Sequence, residues 1–242
     1  MSAPHAFVVY GPSHIAVLVV FVAGAVAAVV LARRYRDTKG ARWAERVAAL
    51  AIFALWLGIA IYSVATASTG VVYALPLQLS DLVALSAAYA LASRRPWACT
   101  MTYYWGVALS TETLISPEYH GIDFPDKGFL AFWGIHLLVM WTAIYLTWGV
   151  GIHPDWGRYR ATVAVTFGWV IVAMTVNGLT GSNYGFLNRK PQTASILDFF
   201  GPWPWYVLVV IVIVAAVWAL MTWPWVRSRT TDDRRSSVDQ PA

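Results

Sequence analysis

The chain has 242 residues, of which 59% are hydrophobic and 12% charged, with a mean hydropathy of +0.58. Soluble domains carry about 25% charged residues, so this composition excludes a water-soluble fold. A net charge of +5 would suggest nucleic acid in a soluble protein, but the basic residues here are sorted by loop, so no nucleic-acid partner is predicted. The single cysteine, Cys99, excludes an intrachain disulfide and a thiolate metal cluster.

A helix needs roughly 20 mostly apolar residues to cross a bilayer. Seven such stretches are predicted in chain order: 14–32, 47–67, 71–92, 97–115, 129–150, 161–179 and 205–226. The segment before the first lacks a positive start, and basic residues follow it, so a retained helix is predicted rather than a signal peptide. The loop after the first span, "RRYRDTKGARWAER", holds six Lys/Arg. Alternate loops hold Arg94 with Arg95, Arg158 with Arg160, and the tail's Arg227, Arg229, Arg234 and Arg235, leaving only Lys127, Arg189 and Lys190 opposite. Basic loops face the cytoplasm, so the N-terminus is predicted outside and the C-terminus inside. The expectation is an all-α, multi-pass membrane protein, with one seven-helix domain over 1–226. The mixed-charge tail 227–242 is predicted disordered, and no internal repeat is visible.

Polar residues inside spans are costly and are functional candidates by default. The third span carries Gln78, Ser80 and Asp81, the fourth Glu112, the fifth His136, and the sixth ends on Asn177. At 1.5 Å per residue, Ser80 lies roughly 13 Å and His136 roughly 10 Å from the outer ends of their helices. Four spans therefore place polar groups in the outer half of the membrane, which predicts a cavity rather than a polar path across it. Gln78 and Asp81 share a helical face, with Ser80 about 100° away, unless Pro76 opens or kinks the helix. Each group also has a plain role: an intramembrane His bonds a neighbouring helix, and a membrane Ser bonds its own backbone. His5, His14, His120 and His153 fall in termini, loops or span ends; His120 with Asp123 and Asp126 has the residue types of a metal site, but solvated loop residues are the expectation. No metal or other cofactor is predicted. The lysines, Lys39, Lys127 and Lys190, fall in loops, so no helix supplies a retinal Schiff base.

The loop before the last span reads "TGSNYGFLNRKP" and runs into "SILDFFGPWPWY". Its glycines permit turns, its Asn and Ser satisfy peptide groups, and Arg189 and Lys190 break the basic-inside pattern. An outer anion, such as a lipid phosphate, would explain those two cations. With "ALPLQLSDL" and the His of "FWGIHLLV", these motifs resemble the YwaF-like bacterial integral membrane proteins, related to eukaryotic transmembrane protein 164, along nearly the whole chain. The resemblance implies acyl chemistry on a membrane lipid, with His136 as base and a nucleophile in the third-span motif. That motif often carries His and Cys in the family, where this chain has Gln78 and Ser80.

Two readings follow. In the first, a lipid acyl hydrolase or acyltransferase uses Ser80 as nucleophile, His136 as base, and Asp81 or Glu112 as its orienter. Gln78, Asn177, Asn183, Tyr184, Arg189 and Lys190 would bind substrate, Asn177 or Asn183 would donate to the oxyanion, and the loop would clamp the headgroup. In the second, the protein binds lipid or solute without catalysis, as a transporter or a subunit of an envelope complex whose partner the sequence does not identify.

Overall fold

The computed structural model describes residues 5–67, 75–191 and 196–238. Among them the elements are helical, and one isolated antiparallel bridge joins Ala6 to Ile122. The described residues of Met1–Pro76 and Ser80–Ile152 form one compact unit, and those of Leu77–Leu79 and His153–Ala242 a second.

In the first unit, α1 (Pro12–Tyr35) opens on a proline whose missing N–H is no loss in a first turn, and its last turn carries Arg33 and Arg34 at the negative end of the helix. Helix α2 (Lys39–Thr66) is capped by Thr38, whose hydroxyl accepts from the Ala41 amide at 3.1 Å. Residues 39–46, predicted in the basic loop, thus form the first two turns of α2. Helix α3 is Leu79–Ser93, and α4 (Pro96–Tyr103), π1 (Tyr104–Leu109) and α5 (Ser110–Ile115) follow one another. Asp126 caps α6 (Lys127–Ile144), accepting from Gly128 N at 2.7 Å, and α6 continues as π2 (Tyr145–Val150) to the left-handed Gly151.

Five helical stretches are long and apolar enough to cross a membrane: Pro12–Tyr35, Lys39–Thr66, Lys127–Val150, Trp156–Thr180 and Trp205–Ser228. They match the first, second, fifth, sixth and seventh predicted spans. The third prediction reduces to the 15-residue α3, about 22 Å of helix against a hydrocarbon layer of about 30 Å. Its first residues, 71–74, lie outside the described residues. Pro76 accounts for the late start, because the residue before a proline avoids helical dihedrals and proline brings no N–H to the ladder. Gln78 therefore precedes the helix and shares no helical face with Asp81. The fourth predicted span is interrupted by π1, whose wider turn shifts the faces of the residues beyond it.

Close approach of small residues packs α1 on α6 and π2. The Trp141 indole lies over Gly24 and donates to the Phe21 carbonyl at 2.9 Å, while Gly149 of π2 abuts Ala32. An added β-carbon at Gly149 would stand 2.3 Å from Ala32 Cβ, whereas one at Gly58 would meet nothing within 4 Å. Gly149→Ala is expected to cost about 1–3 kcal/mol by overpacking, and Gly58→Ala to be neutral or slightly stabilising. Thermal unfolding in detergent checks the pair.

Beside α1 an aromatic cluster gathers Phe7, Tyr119, Phe129, Phe132 and Trp133. The segment before α1 is pinned there, with Phe7 N donating to Gly121 O at 3.0 Å and Asp123 N to His5 O at 2.9 Å. His14, fully buried, accepts from Tyr10 N at 2.9 Å through Nδ1 and donates through Nε2 to Leu114 O at 3.1 Å. Both ring nitrogens are used, so this histidine is a neutral tie between α1 and α5.

The second unit contains α7 (Trp156–Thr180), short 3₁₀ turns at Tyr184–Phe186 and Ile196–Phe200, and α8 (Trp205–Val238). Asp155 caps α7, placing Arg158 and Arg160 in its first two turns rather than in a loop. Tyr159 reaches from α7 to the Ala215 carbonyl on α8 at 3.0 Å. Helix α8 continues past residue 226 into the tail that was predicted disordered, because extending an existing helix adds one hydrogen bond per residue ordered.

Candidate functional site

Within the first unit, His136 sits in the middle of α6 and is half-buried. Its Nδ1 lies 2.7 Å from the Phe132 carbonyl oxygen, one turn back. A carbonyl only accepts, so Nδ1 carries the proton and Nε2 the lone pair. This is the tautomer of a base with its accepting nitrogen uncommitted. The Phe132 ring packs against the imidazole, centroid to centroid 4.5 Å. The Nδ1 bond also means that a backbone carbonyl orients the ring, the task assigned from sequence to Asp81 or Glu112.

Ser80 and Asp81 occupy the first turn of α3, Ser80 exposed and Asp81 half-buried. Asp81 Oδ1 accepts from the Trp56 indole of α2 at 3.1 Å, a bond between helices. Glu112 is exposed on α5. Trp56 had no place in the sequence reading, since one tryptophan among fourteen carries no signal by itself.

In the second unit the polar loop is a closed network centred on Asn177, 2% exposed at the end of α7. Its Nδ2 donates to the Tyr184 carbonyl at 3.1 Å and to Asn188 Oδ1 at 3.0 Å. Its Oδ1 accepts from Ser182 Oγ at 2.9 Å and from Tyr184 N at 2.7 Å. All four bonds of the amide are made inside the loop, so no Asn177 donor is left over for an oxyanion. Asn183 repeats the pattern, donating to Arg189 O at 2.8 Å and accepting from the amides of Asn188 and Arg189. The left-handed Gly181 ends α7 and lets the chain double back over its last turn.

The two loop cations differ. Arg189 is exposed and donates through Nη2 to Gly181 O at 2.8 Å. Lys190 pairs with Asp198 at 3.6 Å and lies over the Tyr206 ring at 5.6 Å. Gln78 accepts from Gly185 N at 3.3 Å, and the Leu77 carbonyl from the Trp169 indole at 3.1 Å, so residues 77–79 belong with this loop. Tyr184 is buried in the core with Val170, Ala173, Leu187, Tyr206 and Val207.

A charged cluster absent from the sequence reading surrounds Glu45, 4% exposed on α2. It accepts from Arg42, from Arg94 between α3 and α4, and from the Tyr145 hydroxyl of π2 at 2.6 Å. Arg94 also donates to Arg36 O at 3.0 Å, at a left-handed backbone dihedral (φ +51°). Burial works against its charge, but the bonds to Glu45 and the adjacent carboxylate hold its pKa above the ordinary arginine value. The one signal in the sequence was a lone Glu among six cations, which reads equally as topology.

The described residues thus hold a histidine with an uncommitted ring nitrogen and a buried ion cluster in the first unit, and a self-contained polar loop in the second. No curated protein and no solved structure matches the chain. The sequence profile of the TMEM164 family matches residues 9–222. With five helices of membrane-crossing length, this chain is an integral, multi-pass membrane protein that belongs to the TMEM164 family.

Proposed function

We propose that the protein acts on lipid acyl esters in a bacterial plasma membrane, as a hydrolase or acyltransferase, with its N-terminus outside. The YwaF-like motifs favour placing it in the bacterial branch of the family, and the sorting of basic loops favours the orientation. The observation that carries the activity is His136, held as the Nδ1–H tautomer by the Phe132 carbonyl with Nε2 open. In this reading Ser80 Oγ attacks the ester carbonyl carbon while its proton passes to His136 Nε2. The C–O bond to the leaving alcohol breaks, and that alcohol takes the proton back. Water or an acceptor alcohol then releases the acyl group from Ser80, with His136 again moving the proton. Asp81, bonded to Trp56, positions α3 on α2. Arg189, with its guanidinium at the surface, is the group suited to a headgroup phosphate.

Lipid profiles of cells expressing wild type, Ser80→Ala and His136→Ala test this. Wild type is expected to deplete or remodel a lipid class, and each variant to lose the effect, with His136→Ala lowering turnover by about 10²–10⁴-fold. Identical profiles in all three strains would remove the enzymatic reading. The Trp56–Asp81 bond favours the second reading, a non-catalytic lipid-binding protein whose carboxylate ties helices, and that reading expects those identical profiles.

A further inference from the structure

Trp133 is 2% exposed, and its indole Nε1 is a buried donor with no hydrogen-bond partner among the described residues. The ring is otherwise fully employed. It stacks on His14 at 5.3 Å, meets Phe132 edge-on at 5.2 Å, and packs on Phe7 and Phe129 at 6.0 and 6.2 Å. A phenylalanine would offer aromatic contacts of the same kind, over a smaller area, without leaving an N–H unsatisfied, an omission that costs about 1–3 kcal/mol. Buried unpaired donors in native proteins call for a reason, and a catalytic role is among the established ones.

His136 lies three residues further along α6. At that spacing, two side chains stand on one helix face with β-carbons about 5–6 Å apart. The Phe132 ring touches both, at 5.2 Å from Trp133 and 4.5 Å from His136. One residue offers an uncommitted donor, the other an uncommitted acceptor. An ester under attack needs that pair: an acceptor for the nucleophile's proton, and a donor for the carbonyl oxygen as it becomes an oxyanion. Asn177, the amide expected in that role, has both its hydrogens engaged in the loop.

We propose that Trp133 is a further catalytic residue, whose indole N–H donates to the oxyanion formed when His136 takes the nucleophile's proton. The inference rests on the acyl-ester reading above. Of the other buried unpartnered groups, Ser13 Oγ is on α1 and Thr147 Oγ1 is in π2, eleven residues beyond His136.

The test uses the full chain in nanodiscs with 4-nitrophenyl palmitate as the probe ester. Wild type, His136→Ala and Trp133→Phe are compared with a protein carrying benzothienylalanine at position 133, which keeps the indole shape and lacks the N–H. The expected result is turnover in wild type, its loss in His136→Ala, and a kcat about 10²–10³-fold lower in both position-133 proteins with KM within about twofold. Hexadecyl trifluoromethyl ketone, which forms a tetrahedral adduct with a serine, is expected to bind these two proteins about 100-fold more weakly. If Trp133→Phe misfolds, the isosteric replacement alone decides. Wild-type kcat in that protein, with His136→Ala inactive, overturns the role of Trp133 and leaves the acyl-ester reading standing. No turnover by wild type overturns both.

Discussion

Glu45→Ala is expected to lower stability by about 3 kcal/mol, at the low end of the roughly 3–5 kcal/mol for breaking a buried ion pair. The removed carboxylate is the common acceptor for Arg42, Arg94 and Tyr145, so the change leaves two guanidiniums and a phenol facing one another. The low end applies because the Arg42 and Arg94 side chains keep 29% and 21% exposure and can recruit water or phosphate. The melting temperature in detergent should fall by about 6–12 °C, taking roughly 2–4 °C per kcal/mol for a chain of this size. Glu45→Gln, which keeps one acceptor oxygen, is expected between wild type and Glu45→Ala. A double-mutant cycle separates the ion cluster from local packing, because Arg94→Ala should cost less in the Glu45→Ala background than in wild type. Additive costs would show that the cluster contributes nothing as a unit.

The second large effect is expected at Asn177→Asp. The substitution is isosteric, but it replaces the Nδ2 group with an acceptor facing the Tyr184 carbonyl and Asn188 Oδ1. Asn188 can turn its amide to donate, whereas the Tyr184 carbonyl cannot. A buried, unpaired carbonyl costs about 1–3 kcal/mol and a buried carboxylate adds to it. The melting temperature should fall, and trypsin should cut faster after the exposed Arg189 as the loop loosens. An unchanged cleavage rate would mean that residues 181–190 keep their fold without the Asn177 amide. The loop is thus closed on its own hydrogen bonds, and its exposed charged group is Arg189.

Single side chains show how far the sequence could be read. His136 was identifiable because a polar group within "FWGIHLLV" is expensive in lipid, and cost does not depend on neighbours. Its tautomer was not, since that follows from a 2.7 Å contact with the Phe132 carbonyl. The loop "TGSNYGFLNRKP" stood out by composition, yet the same Asn and Gly residues suit substrate donors and internal turns equally well. Only the closure of all four bonds of Asn177 separates the two. Glu45 was hidden for a different reason, because helix α2 begins earlier than hydropathy indicates and carries a charge into the packed interior.

The five long apolar helices were legible because the transfer of about 20 apolar residues into lipid is a sum over local composition, independent of partners. The membrane class followed from the same sum, and the family from local motifs such as "GPWPWY". The late start of α3 follows locally from Pro76, whereas the π turns after α4 and α6, the tie between Glu45 and its arginines, and the unpaired indole of Trp133 were decided by tertiary structure. Each of the latter depends on which atom from a distant part of the chain comes within hydrogen-bonding or packing distance, and a linear pattern carries no such information.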